Sequence, residues 1–456
     1  MKHQNHTIVE CLLPSLPEIG KWRLSLDQWH ARLAPRFARP EPHHHALLYV
    51  QALLSEIPRK NCWQMAEQVR QARPYGMQRL LSSAVWDEDG VRDDIRTFVL
   101  EHLGREDAIA VLDESGFPKR GKKSAGVKKQ YCGVTGRVEN CQVGVFLTYA
   151  TTQGHALIDR DLYLPEDWLG DRKRCQEAGI AETLPFRPKW EIALHMLKRA
   201  KQAGLSFHWT VADTVYGQAT ELRTWLEKHD DPYVLGIPCS EVVCVQTPDG
   251  YKLAEAREIE TTVVKDQDWH RLSMSQGTKG PRLFDWALLP VMHKGAVDGR
   301  NFLLIRRCVD DPSIKSYYLV FAPPATPLQE IVWAIGARWH IEEDLEATKD
   351  LGLDQYEVRS FIGWYRHITL VMFAYAFLVG IRVHDKSHLP ADAPPESVEA
   401  PLPLLPLTTS EIRHLLARLF FPPPSHATQV LVWSLWRRQH QYWASHFHTR
   451  ARLKAG

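Results

Sequence analysis

Two aspartates and a glutamate carry the chemistry that this sequence can perform. Asp113 follows the apolar run "AIAVL" and Asp213 follows "WTVA", so each is expected at the C-terminal end of a β-strand. Strand ends at a sheet rim are where α/β proteins present polar groups to ligands. Glu342 belongs to a charge-rich helix predicted over 327–351. Successive helical residues advance by about 100°, which aligns Ile331, Ile335, Arg338, Glu342, Glu346 and Lys349 on one stripe. The first two turns of that stripe are apolar and must face the protein, which carries Glu342 inward and leaves Glu343 and Asp344 toward solvent. Three inward acids repel one another, so the pocket must protonate one of them or hold a cation. Carboxylate oxygens select hard ions such as Mg²⁺ or Mn²⁺. Two such ions about 4 Å apart clamp the attacking and leaving oxygens of a phosphodiester in an in-line displacement.

Beyond Asp113 the chain turns through Gly116 and Pro118 into Lys119, Arg120, Lys122, Lys123, Lys128 and Lys129, six positive charges within eleven residues. A phosphate backbone entering the acid pocket would pass there. Acid pairs also serve glycosidases, but those have no need of a basic loop of this kind. A solvated lysine loop is the plain structural alternative.

The elements that must position these groups fall into five segments. Residues 1–95 carry apolar residues at three- and four-residue spacing and are expected to form a small helical domain, either a helix-turn-helix-like DNA module or a purely structural bundle. From about 105 the period changes: "DAIAVLDES", "YCGVTG" and "CQVGVFLTYAT" read as three sequential strands. A helix at 190–204 closed by Gly204, a strand ending at Asp213, a helix at 218–229 and the strand "YVLGI" follow. The fold class is therefore α/β, a mixed sheet flanked by helices, with 96–237 as its first part. Residues 238–325 read as a β-rich insertion. Residues 326–385 bring the Glu helix, with Thr326 as N-cap, Pro327 at N1 and Gln329 completing a capping box. Residues 386–456 are a Pro-rich linker and a basic helical tail, in which 437–454 hold five Lys/Arg, including Arg437, Arg438, Arg450 and Arg452, and no acid.

With 456 residues, 44% hydrophobic content and a net charge of +2, the chain can bury a large core, and a polyanion partner must be held by local basic patches. The eight cysteines form no Cys-x-x-Cys pair and no signal peptide opens the chain, which predicts free thiols and a cytoplasmic protein. The apolar stretch 368–383 is short for a bilayer and is expected as a core helix, so no membrane association is predicted. His43, His44 and His45, beside Pro40 and Pro42, are expected in a solvated loop.

At the acidic positions the sequence resembles the DDE transposases of bacterial insertion sequences, a DDE superfamily of endonucleases whose catalytic core is ribonuclease H-like. "VLDESGFPKRG" is similar to the family's first-Asp motif, "VADTVYG" to its second, and "RWHIEEDLEATKDLGLDQYEVRS" followed by "WYRHITL" to its Glu segment. In related transposases a signature runs Tyr, two residues, Arg, three residues, Glu, six residues, Lys. Arg338, Glu342 and Lys349 fit that spacing, and Ile335 stands in place of the Tyr. The resemblance extends from about 45 to 385, with a weaker echo in the tail. It implies Asp113, Asp213 and Glu342 as catalytic residues holding two Mg²⁺ or Mn²⁺ ions, and Glu346 supporting them. It also implies DNA contacts from Arg338, Lys349, the loop 119–129 and Arg437 and Arg438. The implied partners are transposon ends and target DNA, held by a homodimer when DNA is bound, with no small-molecule cofactor; the implied place is the bacterial cytoplasm, at the nucleoid when DNA is bound. Trp339 or Trp364 could stack an extruded base, although a core role suits either. Two rival readings remain: a decayed transposase that binds DNA without cutting, and a carboxylate hydrolase acting on sugars.

Overall fold

The computed structural model describes residues 16–104, 107–247, 250–277, 280–292, 298–386, 406–421 and 427–455. The chain divides into two compact units, one formed by Ile95–Glu346 and the other by Met1–Asp94 together with Ala347–Gly456. Much of the Pro-rich stretch lies outside the described residues, as does Cys11. The other seven cysteines are free thiols.

The unit Ile95–Glu346 is built on one large mixed sheet. Its strands are β1 (Ile109–Pro118), β2 (Lys128–Cys132), β3 (Arg137–Ala150), β4 (His155–Tyr163), β5 (Trp209–Ala212), β6 (Tyr233–Ile237), then a separate hairpin of β7 (Val242–Thr247) and β8 (Gly250–Glu255), followed by β9 (His270–Gly277), β10 (Gly280–Pro290), β11 (Asn301–Cys308) and β12 (Lys315–Phe321). The main sheet runs β2-β3-β1-β5-β6-β12-β11-β10-β9, with β4 on β3. Within it, β4-β3-β1 is an antiparallel meander, and β5 and β6 add parallel to β1. That arrangement is the ribonuclease H-like core. The fourth strand, "HALIDRDLY", enters through a turn closed by Gly154 and lies beyond the three strands expected from the sequence.

The β-rich segment continues this sheet. β12 returns antiparallel to β6, pairing Phe321 with Tyr233 through Tyr317 with Ile237. β11, β10 and β9 then extend the ladder outward. Both neighbours of β6 therefore satisfy its backbone, and Tyr233–Ile237 is buried throughout.

Side-chain alternation gives the sheet two faces. Thr148 of β3 stands opposite Val111 and so shares the face of Asp113. The helix Trp339–Asp350 packs there, its Asp344 accepting from Thr148 Oγ1 at 2.7 Å. On the other face, Asp159 of β4 accepts from Arg199 of the helix Lys189–Gln202 at 3.0 Å.

The predicted helix 327–351 is two helices, Leu328–Gly336 and Trp339–Asp350. Between them Arg338 N donates to Ile335 O and His340 N to Ala337 O, three-residue spacings that tighten the turn and reset the phase. Thr326 is not its N-cap: Pro327 occupies that place without a side-chain bond, and Thr326 Oγ1 donates to Pro323 O. Gly336 lies against Met274, where a Cβ would meet the Met274 carbonyl oxygen.

The second unit is helical. Its helix Phe361–Lys386 is long and apolar enough to cross a membrane, yet 83% of its apolar window is buried in the fold. Phe373 stacks on Trp29 at 4.2 Å. Tyr49 Oη and the Gly352 carbonyl hold the two nitrogens of buried His367 at 2.8 and 2.9 Å. His43–His45 lie in the helix Pro40–Leu54, not in a loop, because proline is compatible with the first helical turn.

One glycine in the second Asp motif is fixed by space. A Cβ on Gly217 would collide with the carbonyl oxygen of Gly236 in β6. Gly217→Ala is expected to cost about 1–3 kcal/mol of stability, the range for overpacking a tight contact, read as a lowered thermal unfolding midpoint.

Candidate active site

Asp113 does not end its strand. β1 continues to Pro118, and what ends is the neighbour: β1 and β5 pair in parallel from Ile109 with Trp209 to Leu112 with Ala212. Asp113 and Asp213 are the next residues on each chain, side by side where β5 leaves the sheet. Asp113 stays in the ladder opposite Phe146 of β3, so its backbone is fixed on one side. Asp213 turns away as the N-cap of the short helix Thr214–Gly217, its Oδ1 accepting from Val215 N at 2.9 Å. The capping and the inward-facing roles thus coexist in one residue.

Asp113 Oδ1 accepts from Glu114 N at 2.7 Å, and its Oδ2 lies 3.8 Å from Arg338 Nη1. Arg338 Nη2 in turn binds Glu342 Oε1 at 2.6 Å. The guanidinium thus bridges the first acid to the third, and its charge also acts on Asp213. Glu346, on the next turn, is exposed, and Lys349 is half-buried.

Glu114 was missed. Strand alternation sends it to the opposite face from Asp113, where Lys189 Nζ donates at 2.5 Å and Tyr216 Oη at 2.7 Å. Its adjacency to Asp113 was the available signal, but its partners come from two distant helices. Electrostatically it belongs to the site. Burial first, then the carboxylates of Asp213 and Glu114, push the Asp113 carboxyl up to about 7; the Glu114 N–H and Arg338 oppose this only in part. Asp213 is also raised, by burial and then by Glu114. An acid cluster that retains a proton near neutrality is short of positive charge, and its donors are all carboxylate oxygens. That is the environment a hard divalent cation fits.

The basic loop has a fixed backbone and outward side chains. Asn140 Nδ2 donates to the carbonyls of Lys119 and Gly121 at 2.6 and 2.8 Å, Gln142 Nε2 to Ala125 O at 2.6 Å, and Arg174 to the carbonyls of Lys122 and Val127. Arg174 lies over the Trp168 ring at 3.6 Å. Arg120, Lys122, Lys123, Lys128 and Lys129 are exposed, and Lys119 is half-buried. Two of them face acids: Lys128 donates to Asp167 at 2.7 Å and Lys123 lies 3.7 Å from Glu177. In the helical unit Arg437 pairs with Glu67, while Arg438 and Arg450 are exposed. Trp364 is fully buried and unable to stack an extruded base; Trp339 is 39% exposed, with Arg282 4.6 Å above its ring.

A second polar group was not anticipated at all. Asp344, expected at the surface, is completely buried. It accepts from Thr148 and lies 2.6 Å from His155 Nδ1. Glu343 Oε2 lies 3.2 Å from both His155 Nε2 and His340 Nδ1. The helix break at 337–338 makes the phase of these residues unreadable from the apolar lead-in. Burial lowers the basicity of His155, but Asp344 and then Glu343 outweigh it and carry the imidazole up to about 9. Hydrogen bonds from His155 and His340 hold the Glu343 carboxyl well below the usual range.

A ribonuclease H-like sheet with an acid cluster at the junction of its first and fourth core strands defines a nuclease-type catalytic unit. Residues 32–281 match the family described as DDE superfamily endonuclease, more than half of the chain, and the chain belongs to that family. It is 28% identical over 193 residues to a probable transposase for insertion sequence element IS701 from Microchaete diplosiphon, an alignment covering 42% of this chain and 47% of that protein. The chain thus spans about half the length of that relative. The crystal structure of the NurA nuclease from Sulfolobus solfataricus aligns over 58% of this chain and 90% of its own at 10% identity and a TM-score of 0.25, too distant a likeness to bear on the site.

The raised Asp113 carboxyl has a signed consequence for stability. Its folded-state value lies above the unfolded one, so in the metal-free protein the folded form gives up stability as pH rises from about 4 to about 7. Asp113→Asn removes that charge. In EDTA, the variant's melting temperature is expected to exceed that of the parent clearly at pH 8, by less at pH 5, and to match it near pH 4; equal differences at pH 8 and pH 4 would refute the assignment.

Proposed function

We propose that the chain is a DNA transposase that cuts the ends of an insertion sequence and joins the freed 3′ hydroxyls to target DNA. The observation that carries this reading is the placement of Asp113 beside Asp213 at the β1–β5 junction, with Glu342 joined to them through Arg338. Membership of the endonuclease family and the likeness to a transposase support it.

In this reading Asp113, Asp213 and Glu342 hold two Mg²⁺ or Mn²⁺ ions. When bound, the ions would activate the attacking oxygen and stabilise the departing 3′ oxygen. Arg338, which now balances Asp113 and Glu342, is free to turn to a phosphate near the scissile bond once that negative charge is otherwise neutralised. Lys349 contacts the same strand and Glu346 supports the site from outside it. Glu114, held by Lys189 and Tyr216, maintains the negative potential that favours cation entry. The loop 119–129 and Arg437 and Arg438 follow the flanking backbone, and the helices of 1–95 bind the terminal repeats. The protein acts in the bacterial cytoplasm as a homodimer on DNA.

Asp113→Ala, Asp213→Ala and Glu342→Ala are each expected to abolish Mn²⁺-dependent nicking of a labelled element end while leaving end binding within about twofold. Nicking retained by any of the three would overturn the reading, and a parent protein that binds the end without nicking it would point to a decayed enzyme. EDTA should stop the reaction, which it would not do for a carboxylate hydrolase acting on sugars.

The cationic loop supplies a second test. Each phosphate contact contributes roughly 0.9 to the slope of log affinity against log salt. Replacing Arg120, Lys122 and Lys129 together by Ala is expected to lower that slope by about 2–3 in a binding assay.

A further inference from the structure

We propose that His155, His340 and Glu343 form a second metal site, selective for a zinc-class transition ion and separate from the three-acid pocket. Nitrogen donors from two histidines with one carboxylate oxygen form the set that such ions prefer over Mg²⁺. One ring nitrogen each from His155 and His340 and one Glu343 carboxylate oxygen all lie within 4.8 Å of one another. Ligands held at about 2.1 Å by one tetrahedral ion sit roughly 3.4 Å apart. Glu343 Oε2 is already 3.2 Å from each of the two nitrogens.

A second, independent feature points the same way. His155 is presented by its other nitrogen: Nδ1 lies 2.6 Å from Asp344, which is fully buried and also accepts from Thr148. A carboxylate behind a histidine fixes the tautomer and aims Nε2 outward, the arrangement found behind metal-ligating histidines. His340 stacks on His155 with ring centroids 4.4 Å apart and planes 16° from parallel. Its ring must tilt for both lone pairs to converge, and as a half-exposed side chain held through Glu343 it can do so. The ion would replace the proton that each imidazole now shares with Glu343 Oε2, releasing it to solvent. Three protein ligands leave a position for water.

The two sites lie on different faces of one helix, since Glu342 and Glu343 are successive residues about 100° apart. An ion at Glu343 would tie that helix to His155 at the start of β4, and so hold the phase at which Glu342 enters the catalytic pocket.

The test uses tag-free full-length protein, stripped with EDTA and dialysed against Zn²⁺ in the presence of excess Mg²⁺, with Co²⁺ absorption as a second readout. One tightly held zinc per chain is expected, with intense visible Co²⁺ bands. His340→Ala and Glu343→Gln should each weaken zinc binding at least tenfold, and Asp113→Asn should leave it unchanged. His155→Ala removes a buried group, so the half-exposed His340 is the decisive position. Absence of stoichiometric zinc in the parent, or zinc retained equally by His340→Ala, overturns the proposal. So does loss in Asp113→Asn with retention in His340→Ala, which would move the ion to the acid pocket. None of these outcomes depends on DNA cleavage.

Discussion

The like-charge crowding at the β1–β5 junction governs the rest of the structure. Asp113, Asp213 and Glu114 come together because two parallel strands part at that point. Their mutual repulsion is contained in three ways. Glu114 is turned to the opposite face and given Lys189 and Tyr216, Asp213 spends one oxygen on a helix cap, and Arg338 lies between Asp113 and Glu342. Each solution recruits a different element, which explains why helices distant in sequence must pack on both sides of one sheet.

The core of that sheet was legible because its signals are local. Apolar runs in β1, β5 and β6 and the turns between them require only period and composition; the stripe Ile331, Ile335, Arg338, Glu342 anticipates the pairing of Arg338 with Glu342 but not the depth, since Glu342 stays about a third exposed while Asp344 is fully buried. From its sequence Asp113 is expected as a strand terminus, since a charged residue after an apolar run resembles an ending. In fact it is the partner strand that ends, and no single segment reveals what happens to its neighbour. The helix carrying Glu342 was expected to be continuous because Gly336-Ala337 offers no proline to mark the break; the close approach of Met274 is a tertiary event. The same break hides the burial of Asp344, and with it the partner that marks His155.

Charge placement was legible in kind and less so in detail. A run of lysines after the first acid is visible in the sequence. That Asn140, Gln142 and Arg174 pin its carbonyls, and that Asp167 and Glu177 offset two of its cations, depends on contacts across the fold. The pinned backbone matters more than the charge count, because it holds the cations at fixed positions where an unsupported loop would let them wander.

The return of β12 against β6 also bears on how this architecture can vary. β6 is buried along its whole length and hydrogen-bonded on both edges. A chain cut after Ile237 would leave a bare apolar margin inviting intermolecular pairing. The segment between the second aspartate and the glutamate is therefore no detachable appendage: its first obligation is to seal the nuclease sheet, and divergence is cheapest in the outlying hairpins, away from the seam.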